Sequence, residues 1–371
     1  MGMTGISGKR PRTSWARGCL AWLLVATFEV AAAATPRGYP RSYADVVEAA
    51  RREGTVVVYS TTDREEIRGA LAAFRKRYPF LKVDYHELES PALYERVIAE
   101  SRARSATGDL VWSSAMDLQI KLVNDGYAQA YASPEKPNLP DWAIWKNEAW
   151  GVTAEPVVIA YNKRLVPPAD VPRTHDAFER LLRSKTEAYV GRVSTYDPQR
   201  SGFGYLQLTQ DFHVRRGDVW SLAEALGMVR ARQHSSSRSL LAEVESGRSA
   251  LAYNALGSYA LKRAARNLDI GVVMPEDYTL VVSRIALITR EARQPHAAKL
   301  LLDFLLSAEG QQELAAAYMA PSREDVTPLT GTKPPPAIAR PVRLAPSLLA
   351  NLDDIKRKRL LARWHAALAG Q

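Results

Sequence analysis

Residues 55–63 read TVVVYSTTD, a run of apolar, mostly β-branched residues that ends in hydroxyl groups and a carboxylate. Strands buried on both faces have such continuous apolar runs, whereas strands with one wet face alternate. The polar end is typical of a turn, and Asp63 is placed to cap a helix over 64–78 that Pro79 ends. The stretch therefore predicts the strand, turn and helix of an α/β sheet.

The same unit recurs along the chain, with short polar turns between strands and helices. Residues 127–150 are rich in Trp and Pro and predict irregular structure. This alternation predicts a parallel sheet with helices on both faces. We expect strands over 81–85, 109–112, 157–161, 190–196, 249–254, 270–274 and 279–289, and helices over 42–53, 91–103, 116–125, 175–184, 203–212, 218–231, 238–246, 257–267, 295–319 and 346–368.

The N-terminus differs from the rest of the chain. Basic residues at 9–17 precede the apolar run CLAWLLVATF at 19–28, and small residues follow at 31–34. Ten apolar residues are too few for a membrane-spanning helix. The order basic, apolar, small predicts a cleavable secretory signal over 1–34 and hence a periplasmic protein. Cys19 is the only cysteine, so the mature chain could form no disulfide and offer no thiol nucleophile.

Composition and charge narrow the function classes. The chain has 371 residues, 46% of them hydrophobic, and a formal net charge of +10. Its arginines are scattered rather than gathered into a stripe, so we expect no nucleic-acid partner. The six histidines form no HxH or HExxH pair, and P-loop and GxSxG motifs are absent. We therefore expect no enzyme, no metal site and no cofactor, and we keep an enzyme on the same fold as the least favoured alternative.

Four strand-to-helix turns are candidates for ligand binding. Ligands of parallel α/β sheets bind at the carboxyl ends of strands, where the N-termini of helices suit anions. Each turn alone also has an ordinary explanation, because hydroxyl groups and glycines cap helices routinely. The candidate residues in these turns are Ser60, Thr61, Thr62, Ser113, Ser114, Tyr196, Ser201, Gly202, Phe203, Tyr253, Asn254, Ser258 and Tyr259.

Two charged residues are further candidates. Arg284 lies inside the apolar stretch 281–286, and a buried arginine needs an acidic partner. Glu155 precedes a buried strand and can be such a partner, an acceptor for a ligand amine, or a carboxylate on the surface. An anionic ligand is the other partner that Arg284 could have. Both residues are therefore included among the predicted ligand-binding residues.

Taken together, residues 50–325 resemble the bacterial periplasmic solute-binding proteins that include the iron(III)-binding, phosphoglycerate-binding and phosphonate-binding proteins. The resemblance implies a type II periplasmic-binding-protein fold of class α/β, with two lobes joined by a two-strand hinge. The first lobe is expected over 35–157 and again from 278 to 371, and the second over 158–277. The segments that carry the resemblance are 56–60, 108–114, 151–163, 195–202, 253–259 and 297–311.

The sequence departs from the iron-binding members at each of their ligand positions. The resemblance implies a His after the first strand, a Glu after the third and two adjacent Tyr late in the second lobe. Here those places hold Thr62-Asp63, Ser114-Ala115 and Tyr253-Asn254. Iron(III) needs anionic oxygen ligands, whereas hydroxyl and amide groups suit an oxyanion. We therefore favour an organic phosphate, phosphonate or carboxylate as ligand, with iron(III) as the alternative.

The resemblance also implies a role and a partner. The protein is expected to be a monomer that captures a small anionic molecule by lobe closure and delivers it to an ABC permease in the inner membrane. The same fold can instead present its ligand to a membrane kinase as an extracytoplasmic sensor. The sequence does not separate these two roles.

Overall fold

The computed structural model describes residues 36–105, 107–216 and 218–370. The predicted signal peptide lies outside these residues and stays a prediction. Within them, no helix is both long and apolar enough to cross a membrane.

The described residues alternate strands and helices as the sequence predicts. The strands are β1 Thr55–Ser60, β2 Lys82–Glu87, β3 Leu110–Ser113, β4 Ile144–Trp145, β5 Ala149–Gly151, β6 Glu155–Asn162, β7 Val193–Tyr196, β8 Arg232–His234, β9 Leu251–Leu256, β10 Ile270–Val273, β11 Thr279–Val282, β12 Ile285–Ile288 and β13 Ala339–Pro341. The α-helices are α1 Tyr43–Glu53, α2 Arg68–Arg77, α3 Ser90–Arg102, α4 Met116–Asn124, α5 His175–Ser184, α6 Thr186–Tyr189, α7 Gly202–Arg215, α8 Asp218–Met228, α9 Ser237–Glu245, α10 Gly257–Arg266, α11 Pro295–Leu306, α12 Ala308–Ala316 and α13 Asp354–Leu368.

The first sheet has the strand order β2-β1-β3-β12-β5-β4. β1 runs parallel to β2 and β3, whereas β12 and β5 add antiparallel pairs. Helices α1 to α4, α11 and α12 pack around this sheet, and together they form the first lobe. The predicted parallel sheet is therefore a mixed sheet, because the chain returns to it from the second lobe in the opposite direction.

The second sheet has the order β13-β11-β6-β9-β7-β8, with β10 also paired to β6. β7 runs parallel to both β8 and β9, and β6 runs antiparallel to β9. Helices α5 and α7 to α10 belong to this second lobe, and α13 packs against α8. The two sheets match the fold class that the resemblance implies.

The predicted strand over 279–289 is two strands in different sheets. β11 ends at Val282 in the second sheet, and β12 starts at Ile285 in the first. Ser283 and Arg284 link them, just as residues 152–154 link β5 to β6. β11 and β6 pair next to these links, with Glu155 opposite Val282. Both β6 and β11 remain in the second sheet, so the chain passes between the sheets at residues 152–154 and 283–284, a few residues from the expected lobe bounds at 157–158 and 277–278.

Other predicted helices have different bounds for local reasons. The helix expected over 64–78 starts only at Arg68, and Asp63 does not cap it because its carboxylate contacts Arg238. The helix expected over 295–319 breaks at Ser307, whose hydroxyl accepts a hydrogen bond from the Gly310 amide and starts α12. The last helix is preceded by a 3₁₀ turn over Pro346–Asn351. The short strand β8 was not predicted.

Candidate ligand-binding cleft

A cleft of about 280 Å³ opens between loops of the two lobes. Loops at the carboxyl ends of β1, β2 and β3 form its first-lobe wall, and those after β7, β8 and β9 form its second-lobe wall. Strand ends of α/β sheets are where ligands are expected. The cleft is lined by Thr61, Asp63, Glu87, Leu88, Glu89, Ser90, Ser114, Tyr196, Ser201, Phe203, Ser235, Ser236, Ser237, Arg238, Leu256, Tyr259 and Arg284.

The second-lobe wall presents the N-termini of α7 and α9. These helices follow the adjacent parallel strands β7 and β8, so both begin at the same edge of the sheet. Ser201 and Ser236 cap them, each accepting a hydrogen bond from an amide in the first turn. Four further amides have no acceptor among the described residues, namely those of Gly202, Phe203, Ser237 and Arg238. Such amides at the positive end of a helix dipole attract anions.

Hydroxyl groups add to this wall and to the opposite one. The Ser90, Ser114 and Ser235 hydroxyls line the cleft and make no hydrogen bond within the described part of the chain. Ser90 and Ser114 are each 7% exposed as whole residues, and neither hydroxyl is among the fully buried polar atoms without a partner, so both hydroxyls are reached from the cleft. These groups are therefore available to a ligand or to water.

The first-lobe wall is acidic. Asp63 contacts Arg238 across the cleft, and Glu87 accepts a hydrogen bond from the Arg64 amide at 2.9 Å. The Glu89 carboxylate has no hydrogen-bonding or ion-pair partner among the described residues. Burial raises the pKa of Glu89, the charge of Asp63 raises it further, and Arg238 opposes both.

Arg284 lies at the base of the cleft, in the link between β11 and β12, and is 1% exposed. Its Nε donates to Glu155 Oε1 at 2.7 Å and its Nη2 to Glu155 Oε2 at 3.2 Å. Its Nη1 donates to Thr62 Oγ1 at 2.6 Å. The Ser258 hydroxyl also donates to Glu155. The predicted acidic partner of Arg284 is therefore Glu155, and this bidentate pair joins both lobes at the hinge.

The electrostatics of Arg284 follow from that pairing. Burial, the largest single effect, lowers the pKa of Arg284, but Glu155, Tyr259 and Tyr85 together raise it by more, so the net pKa is raised. The guanidinium also lies 5.5 Å from the centre of the Tyr259 ring. Arg284 is thus permanently charged, and its charge is already neutralised within the protein.

The predicted site residues fall into three groups. Seven line the cleft: Thr61, Ser114, Tyr196, Ser201, Phe203, Tyr259 and Arg284. Five lie directly behind it and hold its loops: Ser60, Thr62, Ser113, Glu155 and Ser258. The remaining three, Gly202, Tyr253 and Asn254, do not line it.

Gly202 lies where the lobes touch. A Cβ atom there would be 2.9 Å from Ser90 Cβ, 3.0 Å from Leu118 Cδ1 and 3.1 Å from Ala115 Cβ. Those three residues belong to the N-termini of α3 and α4 in the first lobe. Gly202 was a candidate ligand-binding residue, and a glycine does let another group approach the backbone closely, but the group that approaches it here is the first lobe.

Tyr253 and Asn254 face a buried carboxylate instead. Asp211 accepts hydrogen bonds from Tyr253 Oη at 2.9 Å, from Asn254 Nδ2 at 2.7 Å and from Tyr278 Oη at 2.7 Å. Asn254 has a φ of 59°, a left-handed conformation that asparagine tolerates and that these bonds hold in place. Through Asp211, α7 is fixed to β9 and to the residue before β11.

Sequence reasoning missed part of each wall. Residues 87–90 follow β2 and residues 235–238 follow β8, so both are strand-to-helix turns of the kind that was used as a signal. The first was missed because β2 extends two residues beyond its predicted end. The second was missed because the sequence of β8, Arg-Gln-His, has no β-branched or apolar residue. The three consecutive serines at 235–237 were the available signal.

Ion pairs cross between the lobes beside the cleft. Arg238 of α9 pairs with Asp63, and Lys262 of α10 pairs with Glu66 at 2.7 Å. In each pair the cation belongs to the second lobe and the carboxylate to the first. The described residues include no group of three or more His, Cys, Asp or Glu placed to hold a metal ion.

Comparisons with known proteins agree with this geometry. The family model for bacterial extracellular solute-binding proteins matches residues 55–320. The chain belongs to that family. A search of curated protein sequences gave no match. Among solved structures, the substrate-binding protein of an ABC transporter from Agrobacterium tumefaciens is 37% identical, with a TM-score of 0.80 over 85% of this chain and 94% of that one.

More distant solute-binding proteins share the fold alone. AfuA from Actinobacillus pleuropneumoniae, solved with fructose-6-phosphate, is 19% identical with a TM-score of 0.66 over 85% of this chain and 99% of that one. Iron-bound HitA from Pseudomonas aeruginosa is 17% identical with a TM-score of 0.68 over 84% of this chain and 99% of that one. This chain is therefore an extracellular solute-binding protein, and over most of its length it is similar to the substrate-binding protein of an ABC transporter.

Proposed function

We propose that this solute-binding protein captures a small molecule bearing an oxyanion, an organic phosphate, phosphonate or carboxylate, in the cleft between its lobes. The observation that carries the proposal is a set of amides without acceptors at the N-termini of α7 and α9, those of Phe203, Ser237 and Arg238, which belong to residues that line the cleft. Amides at two neighbouring helix N-termini form a cradle of hydrogen-bond donors with a positive potential. Of the predicted ligand-binding residues, Phe203 contributes one of these amides and Ser201 caps α7 beside it.

Serine hydroxyls complete the cradle. Ser201 and Ser235 belong to the same two turns as these amides, and Ser114 lines the cleft from the first lobe. A hydroxyl can donate to an oxyanion while its own oxygen accepts a bond from the protein, as Ser201 does from the Gly204 amide at 3.1 Å. Donors that belong to both lobes favour a ligand that is enclosed when the lobes meet.

Iron(III) fits this cleft less well. The tyrosines that line it, Tyr196 and Tyr259, are separate and engaged: Tyr196 Oη is 2.7 Å from Ser237 Oγ, and Tyr259 Oη accepts a hydrogen bond from the Asp63 amide. Burial raises the pKa of both phenols above the usual value, which opposes the phenolate that iron(III) prefers. The donor set is thus hydroxyl and amide rather than anionic.

In the proposed mechanism a monomer opens and closes at the links 152–154 and 283–284. Lobe closure brings Ser90 and Ser114 toward α7 and α9, and the closed form then presents its ligand to the ABC permease. The parts that move are then the two sheets with the helices packed on them, so the expected lobe bounds at 157–158 and 277–278 shift to these links, and β13 and α13 move with the second lobe. A sensor role would use the same closure with a membrane kinase as the recipient.

A test uses Ser237, the first residue of α9. Ser237→Pro removes one cradle amide, and proline is tolerated at the first position of a helix. Ser237→Ala removes the same hydroxyl but keeps the amide, so it is the matched control. We expect S237P to bind a phosphate ester about tenfold more weakly than S237A, because a hydrogen bond to a charged group is worth about 1.5–3 kcal/mol.

The measurement is isothermal titration calorimetry, after a thermal-shift screen of small phosphates, phosphonates, carboxylates and iron(III)-citrate has supplied a binding probe. The melting temperatures of S237P and S237A should agree, so that the affinity difference is not a folding defect. A thermal shift with iron(III)-citrate alone would overturn the proposal in favour of iron transport.

A further inference from the structure

The charges around the cleft are unbalanced for a protein that binds anions. Four carboxylates, those of Asp63, Glu87, Glu89 and Glu155, line or directly support it, against the two guanidiniums of Arg238 and Arg284. Glu155 neutralises Arg284 completely in a bidentate pair. That leaves Arg238 to balance three carboxylates, so the first-lobe wall has an excess of negative charge.

The excess is concentrated at the turn between β2 and α3. Arg238 contacts Asp63 closely, but its distance to Glu87 is 3.6 Å and it makes no hydrogen bond to Glu89. Glu89 is the residue before α3, yet its side chain does not cap that helix. Helix capping therefore does not explain why a carboxylate stands here.

A polar side chain beside this turn also lacks a partner. Ser90 is only 7% exposed, lines the cleft next to Glu89, and its hydroxyl has no hydrogen-bond partner among the described residues. Glu87, Glu89 and Ser90 thus offer several acceptor oxygens within one partly enclosed turn. On the opposite wall stand the donor amides of α7 and α9.

The two walls of the cleft act in opposite directions on a ligand that is only an anion. The helix N-termini attract negative charge, but the exposed carboxylates of Glu87 and Glu89 repel it from the opposite side of the cleft. A ligand that carries both signs satisfies both walls, because its ammonium group donates to the carboxylates while its oxyanion accepts from the amides. A neutral hydroxyl group could donate there but would leave the repulsion in place.

We propose that the ligand of this cleft is a small zwitterion, an aminated phosphate, phosphonate or carboxylate, whose ammonium group lies against Glu87, Glu89 and Ser90. This inference rests on the proposed function and adds the substrate class. Citrate and other multiply charged anions without a cation are then poor ligands, because the acidic turn repels them.

The test compares probes that share one skeleton. Alkyl phosphates, ω-hydroxyalkyl phosphates and ω-aminoalkyl phosphates with two to four carbons are titrated calorimetrically, and the series is repeated with phosphonates and carboxylates. We expect the best aminated probe to bind at least about tenfold more tightly than the alkyl probe of equal length, as for a charge-assisted hydrogen bond.

Variants locate the effect. Glu87→Gln combined with Glu89→Gln should reduce the preference for the aminated probe to about twofold or less, while the alkyl probe binds as before or more tightly. Glu95→Gln is the matched control, because Glu95 is exposed, lies in α3 just after this turn and does not line the cleft. It should keep the full preference.

The outcomes separate the two proposals. Equal affinity for aminated and alkyl probes would overturn the zwitterion while leaving oxyanion binding intact. Equal affinity for the aminated and the hydroxylated probes would contradict the proposed ammonium group and indicate that the ligand carries a neutral hydrogen-bond donor at that position. If no probe of any series binds, the oxyanion cradle itself is wrong. If the E87Q/E89Q variant still binds the aminated probe more tightly than the alkyl probe by the full factor, the ammonium group does not lie against Glu87 and Glu89.

Discussion

Two ion pairs of this protein each join an arginine to a carboxylate but differ in how exposed they are to solvent. Arg284 and Glu155 are 1% and 0% exposed and share two hydrogen bonds at the hinge. Arg238 and Asp63 pair across the mouth of the cleft, where 59% of the Arg238 side chain is exposed. Solvent makes the second pair weak and exchangeable, whereas burial makes the first costly to disturb. The difference separates a fixed pivot from a contact that can break when the lobes open.

The largest effect is expected at the pivot. Arg284→Met should lower the free energy of unfolding by about 3–5 kcal/mol, because it leaves Glu155 charged, buried and unpaired. Chemical denaturation measures this loss, with the exposed Arg340→Met as control. The double variant Arg284→Met, Glu155→Met should recover part of the stability. A loss for R284M as small as that for R340M would remove the distinction between the two pairs.

Asp117 is a third case, a buried carboxylate that has no basic residue in hydrogen-bonding contact, and it can be compared with the two ion pairs. Asp117, near the start of α4, is 2% exposed and accepts a hydrogen bond from the Leu118 amide. Burial raises its pKa to about 7, against a smaller opposing effect of that amide and of Arg357. As the pH rises from about 4 to about 7, the unfolded chain releases the Asp117 proton before the folded one, so the folded state loses stability.

Asp117→Asn should remove this loss. The free energy of unfolding of D117N should exceed that of the parent protein by about 2–4 kcal/mol above pH 7, since each pH unit between the two pKa values is worth about 1.4 kcal/mol. The gap should shrink toward pH 4. Urea denaturation across this range measures it, and the exposed Asp45→Asn serves as control. A gap independent of pH would mean that Asp117 ionises normally.

The smallest effect is expected at the mouth. Arg238→Gln should change the free energy of unfolding by less than about 1 kcal/mol, because the guanidinium is largely solvated and the pair is screened by salt. The same denaturation measurement at low and high salt should give a difference between R238Q and the parent that fades as salt is added. A loss comparable to that of R284M would mean that the mouth is as rigid as the hinge.

The sequence predicted the framework better than the walls of the cleft. Continuous apolar runs such as 55–59 identify strands because burial on both faces demands them. The Arg284–Glu155 pair was accessible to reasoning because a buried charge needs a partner. The acidic turn at 87–90 and the serines at 235–237 were not identified, because the bounds of β2 and the polar strand β8 depend on pairing with distant strands. The contact of Gly202 with α3 and α4 depends on how the lobes meet, which no local pattern encodes.

That contact has a consequence for redesign. Gly202 meets Ser90, Leu118 and Ala115 at distances that leave no room for a methyl group. The spacing between the cleft walls is therefore limited by the main chain of α7 rather than by the side chains that face the ligand. An engineer could exchange Ser114 or Ser235, which are not among these contacts, to alter which chemical groups are recognised while the clearance stays the same. Accepting a bulkier molecule would instead require moving the start of a helix.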